Sequence, residues 1–345
     1  MVQSPQHPPV LSRRVVRVSL LSLTRARLAR GADRNGFVPS RLPQLLGVEI
    51  PIVQAPMTFI AGAQLAAAVS EAGALGIIET ASPQGREDLK RVRDLTDKPV
   101  GANIAITMKQ YDGIVDVLHD AGITTVTTSA GDPMLLTGHL HEAGMTVLHV
   151  VGTLRAAQKA IDAGVDGLVV EGVEGGGFKN RLGASTMVLL PHVAAMTDLP
   201  IVSAGGICDA TSMAAAFVLG AEGVQMGTRM LASTESPVHQ AFKDAVVSND
   251  DLGTVLISPP GMPTMRVLRT ERAVATAATD DAGDGLARVM DLYFHGDLEA
   301  SFANLGQVSS RITEIQPVAS IIREMWEGAQ AALDAGSARL SKELA

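Results

Sequence analysis

The chain has 345 residues, 46% hydrophobic and 19% charged, with a net charge of −8. That is ample apolar material for a buried core, and the scarcity of aromatics makes the core aliphatic, as in layered α/β folds. The single cysteine, Cys208, excludes an intramolecular disulfide and any multi-cysteine metal site, and the acidic balance argues against a nucleic-acid partner.

Residues 1–40 are the exception to that balance, with seven arginines against Asp33 alone. They fit a disordered Arg-rich extension better than a targeting peptide or a membrane tail. The apolar stretch Val15–Leu21 is interrupted by Arg17 and too short for a secretory core. No run approaches the ~20 apolar residues that span a bilayer. A soluble, cytoplasmic protein with no membrane partner is expected, and nothing in the pattern fixes its oligomeric state.

From residue 50 the chain alternates. Apolar strand-like runs are expected at Ile50–Met57, Leu75–Glu79, Val100–Ile106, Thr124–Ser129, Thr146–Val151, Gly167–Glu171, Pro200–Ala204 and Gly223–Met226. Amphipathic helical stretches lie between them, among them Tyr111–Ala121 and Pro133–Ala143, with an eighth at Pro237–Val247. Several helices end in the same way, at Ala72-Gly73, Ala121-Gly122, Ala143-Gly144, Ala163-Gly164 and Leu219-Gly220, where glycine closes a helix and releases the chain into the next strand. Such units imply parallel βα repeats. A doubly wound open sheet needs a Gly-x-Gly-x-x-Gly loop after its first strand, and Gln54-Ala55-Pro56-Met57 stands there instead. The expected fold is therefore α/β, a (β/α)8 TIM barrel over residues 41–250 with a small C-terminal helical, lid-like subdomain at 251–335 and a tail at 336–345. The segment Pro259–Pro263 is expected to be an irregular loop.

In such a barrel, function gathers at the carboxyl ends of the strands, and a phosphate commonly sits beyond strands seven and eight. There the sequence places Ala204-Gly205-Gly206-Ile207 and Gln225-Met226-Gly227-Thr228. Glycines let backbone N–H groups approach an anion closely, and the Thr228 hydroxyl can add a bond. The run Gly175-Gly176-Gly177 gives up both entropy and packing, which makes sense where something flat or bulky approaches the backbone. The rim holds no Ser–His–Asp set and no metal-ligand cluster, so no metal is expected. So few catalytic side chains point to a phosphorylated cofactor that carries the chemistry. Asn103 fits either a ligand contact or a group satisfying nearby backbone. His149, inside an apolar strand, fits a satisfied core histidine better than a base, and Cys208 fits a small buried filler better than a thiolate.

Taken together, Gln54-Ala55-Pro56-Met57, Gly101-Ala102-Asn103-Ile104, Glu171-Gly172-Val173-Glu174-Gly175-Gly176-Gly177, Ala204-Gly205-Gly206-Ile207 and Gln225-Met226-Gly227-Thr228-Arg229 resemble the motifs of the nitronate monooxygenases, formerly 2-nitropropane dioxygenases. That superfamily also includes flavin-dependent enoyl-acyl carrier protein reductases and an NADH:quinone reductase. The resemblance spans about residues 41–330 and implies a barrel binding FMN without a covalent link. It implies that Asn103 contacts the flavin and that Ala55, Pro56 and Met57 lie beside the isoalloxazine ring. Gly176 and Gly206 then line the cofactor, with Gly205 beside them as part of the phosphate cradle read from the glycine pair, while Gln225, Met226, Gly227 and Thr228 form the phosphate-end turn.

Two positions depart from the family pattern. Glu171 stands where glutamine is common, and a carboxylate beside a reduced flavin opposes its negative charge unless protonated or turned away. Phe178 stands where the family has its acid–base histidine, leaving the catalytic residue unidentified and Lys179 and His149 as candidates to replace it. Without a base, nitronates are expected to be oxidised far better than neutral nitroalkanes. The resemblance thus implies an FMN-dependent oxidoreductase that oxidises nitronates with dioxygen. The alternatives are an NAD(P)H-dependent flavin reductase of an enoyl thioester or quinone, and a non-catalytic flavin-binding barrel. An inosine-monophosphate-dehydrogenase-like reaction needs a cysteine in the loop after strand six, and that loop has none.

Overall fold

The computed structural model describes residues 40–109, 111–279, 281–283 and 287–340. The arginine-rich extension up to residue 39 and residues 341–345 of the expected tail lie outside them.

Eight parallel strands form the barrel: β1 (Ile52–Gln54), β2 (Gly76–Glu79), β3 (Val100–Ala105), β4 (Thr125–Ser129), β5 (Thr146–Val151), β6 (Gly167–Glu171), β8 (Ile201–Ala204) and β9 (Gly223–Met226). From β2 onward each pairs with the next barrel strand, and β9 returns to pair with β1. Closure between β1 and β2 is made by Gln54 N–H on the Leu75 carbonyl and Leu75 N–H on the Ile52 carbonyl, both at 2.9 Å. The (β/α)8 architecture expected from the sequence is the one observed.

Alternation along the strands divides the side chains into two sets. Ile52, Ile78, Val126, Val147, Val151, Val170 and Val224 face outward into the shell of helices. Val53, Ile77, Leu148, Val169 and Val202 face inward and meet Leu42 and Leu46 of a short helix, α1 (Leu42–Leu46), which closes the amino-terminal end of the barrel. Burying each such leucine contributes roughly 1.5–3 kcal/mol. One step further along the strands, the inward positions become polar: Glu79, Asn103, Thr127, Glu171 and Gln225. This change from apolar to polar at the carboxyl end is what makes a site there.

The connecting helices start at identifiable caps. The Thr153 side chain accepts the Ala156 N–H, and Asp209 and Ser212 form a reciprocal capping box. The expected helix-closing glycines Gly73, Gly122, Gly144, Gly164 and Gly220 all have positive φ. Two boundaries differ from those expected. The first strand ends at Gln54, and Ala55–Met57 leaves the sheet. The helix expected at Pro133–Ala143 divides into a 3-10 turn, Pro133–Leu135, and an α-helix, Thr137–Glu142.

One element was not foreseen. Beyond the barrel, β10 (Thr254–Ile257) and β11 (Met265–Leu268) form an antiparallel hairpin around the expected loop, and β11 pairs with a two-residue strand, β7 (Gly177–Phe178). A strand of two residues leaves no periodicity to detect. The last helix, Val318–Ala338, packs on the outside of the barrel against helices Ala210–Val218 and Ala63–Glu71.

Candidate active site

At the carboxyl end of the barrel lies a cavity of about 740 Å³. All twelve residues singled out from the sequence line it: Ala55, Pro56 and Met57 beyond β1, Asn103 on β3, Glu171 on β6, Gly176 before β7, Gly205 and Gly206 beyond β8, and Gln225, Met226, Gly227 and Thr228 at the end of β9. The volume lies in the upper part of the range for small-molecule sites, ~300–1,000 Å³.

The two glycine turns differ in cause. Gly205 and Gly206 have φ of 84° and 79°, a consecutive left-handed pair that only glycine adopts without strain. Their turn is held by the Thr186 hydroxyl, 2.8 Å from the Gly205 carbonyl oxygen. Gly227 is different. Its φ is −100°, and the atoms nearest an added Cβ would be Ala55 Cβ at 3.5 Å, Met57 Sδ at 3.7 Å and Met57 Cγ at 4.0 Å, all ordinary contacts. Neither conformation nor packing demands glycine at 227, so what its missing side chain preserves is space in the cavity.

The Gly175–Gly177 run has causes within the protein. A Cβ on Gly175 would fall 2.3 Å from Glu171 Oε1, and one on Gly176 would fall 2.8 Å from the Leu305 carbonyl carbon. Gly177 is left-handed, with φ of 74°. The Arg266 guanidinium on β11 fixes the approach to this run, donating from Nε to the Val173 carbonyl at 2.9 Å and from Nη1 to Thr254 Oγ1 at 3.1 Å.

Three carboxylates line the cavity, each held differently. Glu79 is buried and accepts the N–H groups of Phe59, Ala81 and Ser82 at 3.2, 2.8 and 3.0 Å. Glu174 accepts the Thr186 N–H through both oxygens at 2.9 and 3.0 Å, at the start of helix Thr186–Ala194. Glu171 accepts from Lys179 Nζ at 2.7 Å, and Lys179, its side chain only 5% exposed, also donates to the Phe178 carbonyl at 2.9 Å. The carboxylate that the sequence left unbalanced is thus paired with a cation.

Polar atoms at the inner wall are unequally satisfied. Asn103 Nδ2 lies 3.0 Å from both the Thr127 carbonyl and Thr127 Oγ1. Gln225 Oε1, in contrast, is buried and has no hydrogen-bond partner. A buried orphan acceptor is costly, about 1–3 kcal/mol, and is tolerated where a ligand completes it. Backbone strain gathers here as well. Among the described residues the non-glycine positions with positive φ are Phe59, Lys109 and Ala130, and the first and last line the cavity.

Two candidate reactive groups lie elsewhere. His149 falls between the inward Leu148 and Val150, on the outward face of β5, 2.7 Å from Thr128 Oγ1. Burial pushes it down to about 4. It does not line the cavity and is not the base. Cys208 lines a separate recess of about 270 Å³ with Arg229 and Arg311, and burial pushes its thiol up to about 12. Phe178, 46% exposed, lines the cavity, as do Met262, Met265, Tyr293 and Phe302 from the C-terminal segment. Phe178 and the Pro/Met-rich segment 259–265 are legible in the sequence as apolar elements at the mouth, whereas Tyr293 and Phe302 are not, because no local pattern marks where a chain returns.

Among the described residues no group of three or more His, Cys, Asp or Glu could hold a metal, and no helix is long and apolar enough to cross a membrane. The family model described as nitronate monooxygenase matches residues 39–111 and 105–328. The chain is 37% identical over 237 residues to the (3aS,4S,5R,7aS)-5-hydroxy-7a-methyl-1-oxo-octahydro-1H-indene-4-carboxyl-CoA dehydrogenase of Mycobacterium tuberculosis, covering 67% of this chain and 66% of that one. It is 30% identical over 254 residues to the nitronate monooxygenase of Paraburkholderia phytofirmans, covering 59% and 69%. The structure of FabK from Thermotoga maritima superposes with a TM-score of 0.82 at 34% identity, covering 88% of this chain and 100% of that one. The chain spans just under two thirds of the length of the carboxyl-CoA dehydrogenase.

Proposed function

The chain belongs to the nitronate monooxygenase family, and from that premise we propose that it is an FMN-dependent oxidoreductase acting on an acyl thioester. The observation that carries the cofactor is the wall formed by Gln225 and Gly227: an orphaned buried acceptor beside a glycine whose only evident purpose is to leave room. The residues fit a flat heterocycle bearing N–H donors and a phosphate tail. Ala55–Met57 and Asn103 would hold the ring. Gln225 and Gly227, which the resemblance puts at the phosphate-end turn, would join them at the ring, because an amide oxygen needs a donor and a phosphate oxygen offers none. Gly205, Gly206 and Thr228 would lie around the phosphate. When bound, the flavin supplies a two-electron acceptor or donor that no side chain here can replace.

The substrate class is supported by the other half of the cavity. Phe178, Met262, Met265 and Phe302 give it an apolar wall suited to a hydrocarbon chain or ring. The Mycobacterium tuberculosis relative is named for a carboxyl-CoA substrate and is more similar to this chain than the nitronate monooxygenase of Paraburkholderia phytofirmans. Nitronate oxidation with dioxygen is the second reading, favoured by that relative and by the description of the family model.

An anaerobic titration separates the two. Bleaching of the flavin by cyclohexanecarboxyl-CoA, or by NADH or NADPH followed by reoxidation with the matching enoyl-CoA, supports thioester chemistry. Bleaching by propyl-2-nitronate alone overturns it in favour of the second reading.

A further inference from the structure

Phe178 cannot transfer a proton, His149 faces away from the cavity, and the remaining titratable groups of the cavity wall can be taken in turn. Glu79 is committed to three backbone N–H groups and the Ser82 hydroxyl. Both oxygens of Glu174 are tied to Thr186. Tyr293 is fully buried, its oxygen accepting the Asn304 N–H at 3.3 Å. Glu171 is left. Its Oε1 is held by Lys179 at 2.7 Å, and no hydrogen bond from the described residues reaches Oε2.

The local chain is arranged around this pair. Glu171 ends β6 with inward parity, and its side chain is 25% exposed. Lys179 lies eight residues later, beyond the glycine run, with its N–H on the Thr264 carbonyl at 2.8 Å. A Cβ on Gly175 would collide with Glu171 Oε1 at 2.3 Å and crowd Lys179 Cε at 2.9 Å, so this glycine makes the space in which the two side chains meet.

We propose that Glu171 is the carbon-acid base of this site and Lys179 its positioning residue. The proposal rests on the thioester reading above. Glu171 Oε2 takes the proton from the carbon next to the thioester carbonyl. That C–H bond breaks, an O–H bond forms on the carboxylate, and the electron pair moves into the carbonyl as an enolate. The reverse step returns a proton to the carbon. Lys179 fixes Oε1, which leaves Oε2 for the substrate.

The step is measured without net oxidation, as deuterium uptake at that carbon when cyclohexanecarboxyl-CoA is incubated anaerobically with the protein in D2O and analysed by mass spectrometry. Wild-type protein and H149Q exchange. Glu171→Gln loses exchange by on the order of 100-fold, the scale of general-base catalysis. Glu171→Asp, which keeps the carboxylate but withdraws it, falls between them and guards against a folding failure of the first variant. Lys179→Met lowers exchange, and Lys179→Arg restores it, which a merely structural lysine would not require. Flavin absorbance of each variant reports an intact site. Exchange by Glu171→Gln within threefold of wild type overturns the base assignment alone. A wild-type protein that neither exchanges nor is bleached by the thioester overturns both this proposal and the reading beneath it.

Discussion

Gly176 and Gly306 meet backbone to backbone: a Cβ built on Gly176 would stand 2.9 Å from the Gly306 nitrogen. The C-terminal segment therefore reaches the cavity by passing where only hydrogen fills the gap. Gly306 in turn donates its N–H to Thr228 Oγ1 at 3.0 Å, joining the segment to the end of β9.

Gly176→Ala should act on the protein before any ligand is considered. The clash is with main chain, which cannot swing aside as a side chain does. A loss of about 1–3 kcal/mol of stability is expected, as for other overpacking substitutions. Urea unfolding of the flavin-free protein measures it.

Gly227→Ala should do the reverse. Its φ is negative and the added methyl makes ordinary contacts, so the flavin-free protein should be unchanged or gain up to about 1 kcal/mol from a stiffer unfolded chain. FMN affinity should fall, because the methyl occupies the cavity. Isothermal titration with FMN and thermal unfolding without it separate the two effects.

Replacing Gln225 by leucine removes the orphaned acceptor at similar volume. The flavin-free protein should be at least as stable as wild type, since an unsatisfied buried oxygen is gone. FMN should bind more weakly by about 1–2 kcal/mol, the worth of a buried hydrogen bond, or roughly tenfold. A dissociation constant measured by flavin fluorescence gives the answer.

His149 makes stability fall in mild acid. Burial holds it down from 6.5 to about 4 in the folded protein. Below pH 6.5 the unfolded chain binds a proton that the folded state refuses. Its contribution is therefore complete above pH 6.5 and is lost as the pH falls towards 4. Between pH 7.5 and 5 the loss should be about 2 kcal/mol. Urea unfolding at both pH values should show it in the wild type and a correspondingly flatter response in H149Q.

Much of this site was legible because barrel physics ties position to sequence. A glycine pair after an apolar run, as at Gly205-Gly206, or a polar residue ending one, as at Asn103, marks the end of a strand, and strand ends converge. All twelve sequence candidates line one cavity for that reason. What escaped was set by distance along the chain. Tyr293 and Phe302 reach the cavity through a return path with no local signature. Lys179 was visible as a candidate, but its partner was not, because the pairing depends on the bend at Gly175–Gly177. In the sequence the glycine run reads as room for an approaching ligand, and only the fold brings it against Leu305 and Gly306.

The central claim is that a flavin, held by the wall around Gln225 and Gly227, carries the redox chemistry. Its most direct test is to incubate the purified protein with FMN, remove free ligand by gel filtration and record the visible spectrum of the protein peak. An equimolar flavin band travelling with the protein is the expected result. Colourless protein, with all of the flavin eluting free, would contradict the account.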